Sequence, residues 1–162
     1  MAFGSPSSIS LRGRALRWLA QREHSRAELA RKLARYADDG AEDGTGPGAA
    51  ARIGAVLDEL GALGLLSDER AAAAVLAAQA PRGGERRLKQ ALQQRGLAPD
   101  LVERTLAEAR PGELERARAL WQRRFGSPPA DATERARQMR FLAGRGFGGD
   151  IIRRVVRGAE EE

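Results

Sequence analysis

The sequence repeats itself at an interval of fifty residues, and this repeat limits the possible folds more than any other feature. Residues 92–97 (LQQRGL) align with residues 142–147 (LAGRGF), and residues 100–102 (DLV) align with residues 150–152 (DII). The glycine of each copy suits a left-handed helix cap, and the apolar residue after it can pack back on the helix that has just ended. The repeat therefore predicts a pair of helices, joined by an Arg-Gly-apolar turn, that occurs twice.

A weaker third copy occupies the first third of the chain. Leu29 corresponds to Leu88 at an offset of 59 residues, whereas Ile53 corresponds to Val102 at an offset of 49. The two offsets differ because residues 37–51 form an insertion rich in Gly, Ala and acidic residues. We predict that this insertion is a solvated, mobile loop.

The composition predicts helices throughout. Ala, Leu, Arg, Glu and Gln are strong helix formers, and no segment alternates apolar and polar residues for long enough to make a strand. Helices are predicted near residues 10–22, 26–36, 50–60, 68–79, 85–94, 99–109, 113–125, 133–143 and 150–157. Because one three-helix unit buries little surface alone, we expect an all-α fold of three tandem, helix-turn-helix-like repeats that stack into an elongated, curved array.

The expected boundaries follow from the turn and cap signals. Residues 1–9 are a disordered N-terminal segment, residues 10–66 the first repeat with its insertion, residues 67–110 the second repeat, residues 111–158 the third, and residues 159–162 an acidic tail. Ser25 and Glu28 have the spacing of a capping box, in which each side chain satisfies a free backbone amide of the other residue.

Several classes of protein are excluded by the residues that the sequence lacks. There is no cysteine and only one histidine, His24, so thiolate metal sites, disulfides and thiol catalysis are impossible. No phosphate-binding or dinucleotide fingerprint is present, and His24 is read as a neighbour of the Ser25 cap rather than a general base. We expect no enzyme activity, no cofactor and no metal.

The apolar runs also bear on location. The longest of them, such as residues 71–78, are too short and Ala-rich to cross a membrane, and residues 1–10 lack the pattern of a secretory signal. We therefore expect a cytoplasmic protein without a membrane partner, and a monomer.

The formal net charge is +6, and the positive charge is concentrated near the two ends of the body. The last helices of repeats two and three share an apolar stripe but differ on the outside: Glu103, Arg104 and Ala107 are replaced by Arg153, Arg154 and Arg157. Packing does not require this change, so it points to an acidic or polyanionic partner. A solvated charged face is the competing interpretation for any single residue.

The charge argument gives a set of candidate partner-binding residues in repeats two and three. They are Arg82, Arg86, Arg87, Lys89, Arg137, Arg140, Arg153, Arg154 and Arg157. Arg95 and Arg145 are assigned to helix C-terminal capping instead, because cations there complement the helix dipole. Trp121, Phe125, Phe141 and Phe147 are predicted core residues, and so is Trp18.

Four segments in this order resemble the RecX family of regulatory proteins. They are REHSRAEL at residues 22–29 with KL at 32–33, LGALGLLSDER at 60–70, RLKQALQQRGL at 87–97 and FLAGRGF at 141–147. The chain departs from the family pattern at Ala71 and Ala72, where an aromatic residue usually follows Asp-Glu-Arg, and in its long acidic insertion.

The resemblance implies a function. RecX proteins are tandem three-helix repeats that bind the RecA nucleoprotein filament and mostly suppress its ATPase, strand-exchange and coprotease activities. A similar chain would be a non-enzymatic modulator of homologous recombination and of the SOS response, with the RecA filament as its partner and, at most, weak non-specific contact with DNA.

The alternative is a direct DNA-binding regulator of the helix-turn-helix type. Short three-helix units and basic faces suit that class as well. Recognition helices present Asn, Gln, Ser or Arg to base edges, and here the compact polar set is Gln90, Gln93 and Gln94. Sequence-specific reading of DNA is therefore the less supported of the two functions.

Overall fold

The computed structural model describes residues 9–37 and 47–161, and every regular element in these two ranges is a helix. The helices are α1 (Leu11–Gln21), α2 (Arg26–Ala34), α3 (Ala49–Ala62), α4 (Asp68–Gln79), α5 (Glu85–Gln94), α6 (Pro99–Ala109), α7 (Glu113–Arg124), α8 (Ala132–Gly144) and α9 (Gly149–Glu161). Single 3-10 turns follow α4 and α6, at Ala80–Arg82 and Arg110–Gly112. The prediction of an all-α chain is confirmed.

The predicted loop over residues 37–51 is wrong at both of its ends. Ala37 is buried in the core of the first helices, and α3 already begins at Ala49. The cause is the run of alanines at residues 49–51, since alanine is the strongest helix former and extends the helix backwards to Gly48. Residues 38–46 lie outside the described part of the chain, as does the predicted disordered segment apart from Ile9.

The helix ends have the caps that the sequence predicts. The Ser25 hydroxyl accepts from the Glu28 amide over 3.1 Å, and the Glu28 carboxylate accepts from the Ser25 amide over 2.9 Å. Asp131 caps α8 in the same manner by accepting from the Glu134 amide. The turn glycines Gly96 and Gly146 have φ values of 67° and 88°, which are left-handed conformations that favour glycine.

The chain divides into two compact units, residues 1–71 and 72–162. The core of the first unit is drawn from α1, α2 and α3 together with the turn after α3. Its buried members are Ala15, Leu29, Leu33, Ala37, Ile53, Leu57, Leu60 and Leu66. Trp18 is only half-buried at the edge of this core.

The second unit contains two hydrophobic clusters, one for each copy of the fifty-residue repeat. The first comprises Ala72, Val75, Leu88, Leu92, Leu97, Leu101, Val102, Leu106 and Ala109. The second comprises Ala117, Leu120, Trp121, Leu142, Phe147, Ile152, Val155 and Val156. The predicted apolar stripe of α6 and of α9 is therefore the face that each helix buries.

The division into repeats at residues 67 and 111 stays a prediction.

The core of α7–α9 contains one buried polar pair. The indole nitrogen of Trp121 donates to the side-chain oxygen of Gln138 over 2.8 Å, and both residues are buried. This bond satisfies the polar end of a large aromatic side chain that otherwise fills the core. Phe125 and Phe141, which are predicted core residues, are half-buried and pack edge to face at 5.3 Å.

Candidate partner-binding surface

The candidate cations of the second repeat surround the beginning of α5, and all four are exposed. Arg86 donates from Nη2 to the carbonyl oxygen of Ala143 over 2.7 Å, so its guanidinium caps the end of α8. The ammonium of Lys89 lies 3.5 Å from a carboxylate oxygen of Glu103. Arg82 and Arg87 form no ion pair with any residue in the described ranges.

An ionic network neutralises the α5–α6 face of the second repeat. Arg110 donates from Nε and Nη2 to the two carboxylate oxygens of Glu85, each over 2.9 Å, and also lies 3.5 Å from Glu103. The hydrogen bond from Arg110 holds the pKa of Glu85 below its ordinary value, so the carboxylate stays charged. Lys89 and Arg110 therefore already have acidic partners within their own repeat.

The two acidic positions of this network carry arginine in the third repeat. Fifty residues after Glu85 and Glu103 stand Arg135 and Arg153, and Met139 takes the place of Lys89. The acidic side of the network is therefore replaced by arginine, and the α8–α9 face is more basic than the α5–α6 face. This difference extends the contrast between α6 and α9 that the sequence shows.

Most candidate cations of the third repeat have little or no compensation. Arg137 pairs with Glu134 over 3.2 Å, and Arg153 pairs with Asp150, each within one helical turn. Such exposed pairs contribute on the order of 0.5 kcal/mol or less. Arg140, Arg154 and Arg157 are exposed and form no ion pair within residues 9–37 and 47–159. The outer face of α9 is thus a cationic surface.

The sequence did not indicate an arginine cluster on the Phe125–Phe141 pair. The guanidinium carbons of Arg124 and Arg137 each lie 5.6 Å from the centroid of the Phe125 ring, and that of Arg145 lies 5.2 Å from the Phe141 ring. Arg145 is the C-cap residue of α8, but its guanidinium lies over the ring rather than on the last carbonyls. The spacing of four residues between Phe141 and Arg145 is the signal that could have revealed this contact.

The imidazole ring of His24 is held inside the fold by contacts at both of its nitrogens. Its side chain is buried, with Nδ1 3.0 Å from the carbonyl oxygen of Arg22 and Nε2 3.0 Å from the ammonium of Lys32. Burial lowers the pKa of His24, and the positive charges of Arg22 and Lys32 act in the same direction. Both ring nitrogens are engaged inside the fold, which agrees with the prediction that His24 is a neighbour of the cap rather than a base.

The described residues include neither a metal-ion cluster nor a membrane-spanning helix. No group of three or more His, Asp or Glu side chains there could hold a metal ion. No helix there is both long and apolar enough to cross a membrane.

The chain is similar to known proteins along its whole length. It is 52% identical over 162 residues to the regulatory protein RecX of Leptothrix cholodnii, and the match covers all of this chain and 96% of that relative. The chain belongs to the RecX family. The regulatory protein RecX of Ralstonia nicotianae is 42% identical, over 94% of this chain and 89% of its own length. Residues 112–156 match the family model described as the third three-helix domain of RecX.

A solved RecX structure has the same fold. The crystal structure of RecX from Lactobacillus salivarius matches with a TM-score of 0.73, covering 94% of this chain and 96% of that one, at 18% sequence identity. The matched third RecX domain contains α7, α8 and most of α9, and hence Arg137, Arg140, Arg153 and Arg154. The basic surface of the third repeat therefore lies on a recognised RecX domain.

Proposed function

We propose that this chain binds the RecA nucleoprotein filament in the cytoplasm and modulates its ATPase, strand-exchange and coprotease activities, mostly by inhibition. It acts as a monomer, without catalysis of its own, and regulates recombination and the SOS response. The observation that carries the proposal is the 52% identity, over the whole chain, to a protein named for regulation.

The surface of α9 supports this proposal physically. Arg154 and Arg157 are exposed and have no acidic partner within the described residues, while the opposite face of α9 is buried. Arginine binds carboxylates and phosphates through a planar fork of donors, and both groups occur on a protein–DNA filament. A non-catalytic protein with such a surface can compete for sites on the filament.

The decisive experiment measures DNA-dependent ATP hydrolysis by RecA. We expect the purified protein to lower the rate when it is present at fewer molecules than RecA. A chain that leaves the rate unchanged at equimolar concentration would contradict the proposal. This assay tests the partner and the direction of the effect together.

The exposure of Gln90, Gln93 and Gln94 on α5 favours a second candidate, the direct DNA-binding regulator. Recognition helices, however, reach base edges mainly with their N-terminal residues, and the N-terminal turn of α5 is covered by the α8–α9 turn. Binding to DNA without RecA over a salt series separates the candidates. Weak binding with a steep salt dependence and no sequence preference fits the RecA regulator, whereas tight binding to one duplex site supports the alternative.

A further inference from the structure

The first turn of α5 is docked on the third repeat through its backbone. The amide of Gly84 donates to the Arg145 carbonyl over 2.9 Å, and the amide of Arg86 donates to the Gly146 carbonyl over 3.2 Å. The amide between them, on Glu85, donates to the carboxylate of Glu113 over 2.9 Å. Amides at a helix N-terminus ordinarily have no backbone partner within the helix. We call this contact, between residues 83–87 and residues 143–147 together with Glu113, the seam.

Glycines make the seam possible because the two backbones touch. A Cβ atom on Gly84 would lie 2.6 Å from Cα of Phe147, and one on Gly146 would lie 2.7 Å from the backbone nitrogen of Arg87. A Cβ on Gly83 would lie 2.5 Å from the carbonyl oxygen of Arg145. No side chain separates the second repeat from the third at this contact. The position of the start of α5 relative to the α8–α9 turn is therefore fixed.

This fixed position places arginines of two repeats beside one another. Arg82, Arg86 and Arg87 flank the seam from the second repeat, and Arg145 flanks it from the third. The nearby acids are engaged elsewhere: Glu85 binds Arg110, and Glu113 accepts from the Glu85 amide. The positive charge of Arg82 and Arg87 is therefore available to a partner.

A cavity of about 320 Å³ opens at the seam and is lined in part by Arg86. Its lining includes Gly146 and the core residue Phe147, which is only 2% exposed, together with Glu85, Arg86, Lys89 and Glu113. A cavity of this size can take a protein side chain. The carboxylates of Glu85 and Glu113 disfavour a phosphate backbone, because a continuous row of negative charges would meet them, whereas a protein can place its carboxylates only where the arginines lie.

We propose that the seam, with the neighbouring Arg82, is a docking surface for an acidic protein segment, which inserts a side chain into this cavity and places carboxylates on Arg82 and Arg87. The inference rests on the proposed function: the segment belongs to the protein subunits of the RecA filament, not to its DNA. The surface is composite, because the 3-10 turn before α5 and α5 itself supply Arg82 and Arg87, while the α8–α9 turn supplies part of the cavity's lining.

The test compares two double charge reversals with equal changes in net charge. Arg82→Glu/Arg87→Glu alters the seam, and Arg104→Glu/Arg123→Glu alters exposed arginines elsewhere in the same compact unit. Affinity is measured for RecA filaments on single-stranded DNA and for the same DNA without RecA. We expect the seam variant to bind filaments about tenfold or more weakly, and the control to lose less than about threefold. On bare DNA the two variants should behave alike.

Each outcome of these affinity measurements either supports or contradicts the docking proposal. Equal losses of filament affinity in the seam and control variants would overturn it, as would a selective loss of bare-DNA binding in the seam variant. A wild-type protein that does not bind filaments would refute the proposed function, and the seam proposal with it. Arg82→Gln/Arg87→Gln, which removes charge without adding acid, should weaken filament binding in the same direction, and circular dichroism checks that each variant is folded.

Discussion

At the scale of single residues, the environment of His24 changes how readily its side chain takes up a proton. It is the one histidine of the sequence, so it is the side chain that ordinarily titrates between pH 5 and 8. Burial lowers its pKa in the folded protein, the hydrogen bond to the Arg22 carbonyl opposes this shift, and the charges of Arg22 and Lys32 add to it. The folded state therefore favours the neutral ring.

This shift predicts how stability depends on pH. Below about pH 6.5, the ordinary pKa of the histidine side chain, the unfolded chain takes up a proton that the folded chain still excludes. The free energy of unfolding therefore decreases as the pH is lowered. The loss ends below the lowered folded pKa, where both states are protonated, and the full stability is present above the ordinary pKa. Urea unfolding at about pH 7.5 and about pH 5.5 should show a decrease that His24→Gln abolishes. An equal decrease in the variant would contradict this prediction.

At the scale of the helices and their turns, the Arg-Gly-apolar turn has two separate reasons for its glycine. The first is local, since a left-handed φ disfavours any residue with a Cβ atom. The second is tertiary, and it applies where another backbone lies against the turn. Gly64, in the Leu-Gly-Leu turn after α3, has φ 71° with open space around it, whereas Gly146, in the Arg-Gly-Phe turn after α8, has φ 88° and lies against Arg87.

Substitution by alanine separates these two reasons. Gly64→Ala should lower the free energy of unfolding by about 1–2 kcal/mol, the cost of the left-handed conformation alone. Gly146→Ala should cost about 1–3 kcal/mol more, because its Cβ would overlap the backbone of α5. Chemical denaturation of both variants measures the difference. Equal decreases in the free energy of unfolding for the two variants would mean that the seam accommodates the Cβ atom without strain.

At the scale of the whole molecule, the location of the positive charge affects association with a partner more than the net charge does. The net charge of +6 is modest, yet Arg154 and Arg157 of α9 have no acidic partner within residues 9–37 and 47–159, while the α5–α6 face is neutralised by its own acids. Oriented charge of this kind speeds association with an oppositely charged surface.

A matched pair of variants tests this effect of location. Arg154→Glu/Arg157→Glu and Arg17→Glu/Arg35→Glu reduce the net charge equally, and all four arginines are exposed. We expect only the α9 variant to slow association with RecA filaments markedly at low salt, and the difference to shrink as salt is added, because exposed charges are screened. Stopped-flow binding measures the rates. Equal slowing in both variants would leave net charge as the whole explanation.

The local features of this protein could be predicted from sequence because each depends on residues close together in the chain. The spacing of Leu101, Val102, Thr105 and Leu106 indicated the buried stripe of α6, and the Ser25–Glu28 spacing indicated the cap of α2. The loop over residues 37–51 was wrong where alanine extended α3. The repeat offsets of 59 and 49 residues predicted a loop there, but the helix propensity of the alanines decided the structure.

The candidate surface was predicted less completely because charge compensation depends on distant partners. Arg110 meets Glu85 across 25 residues, and Gly84 meets Arg145 across 61. Helical periodicity determines which face of an element is apolar, so the sequence by itself determined the helices, their caps and their buried stripes. Only the tertiary structure decided which arginines are neutralised and where two backbones touch, because those contacts arise when the helices pack and no local pattern encodes their partners.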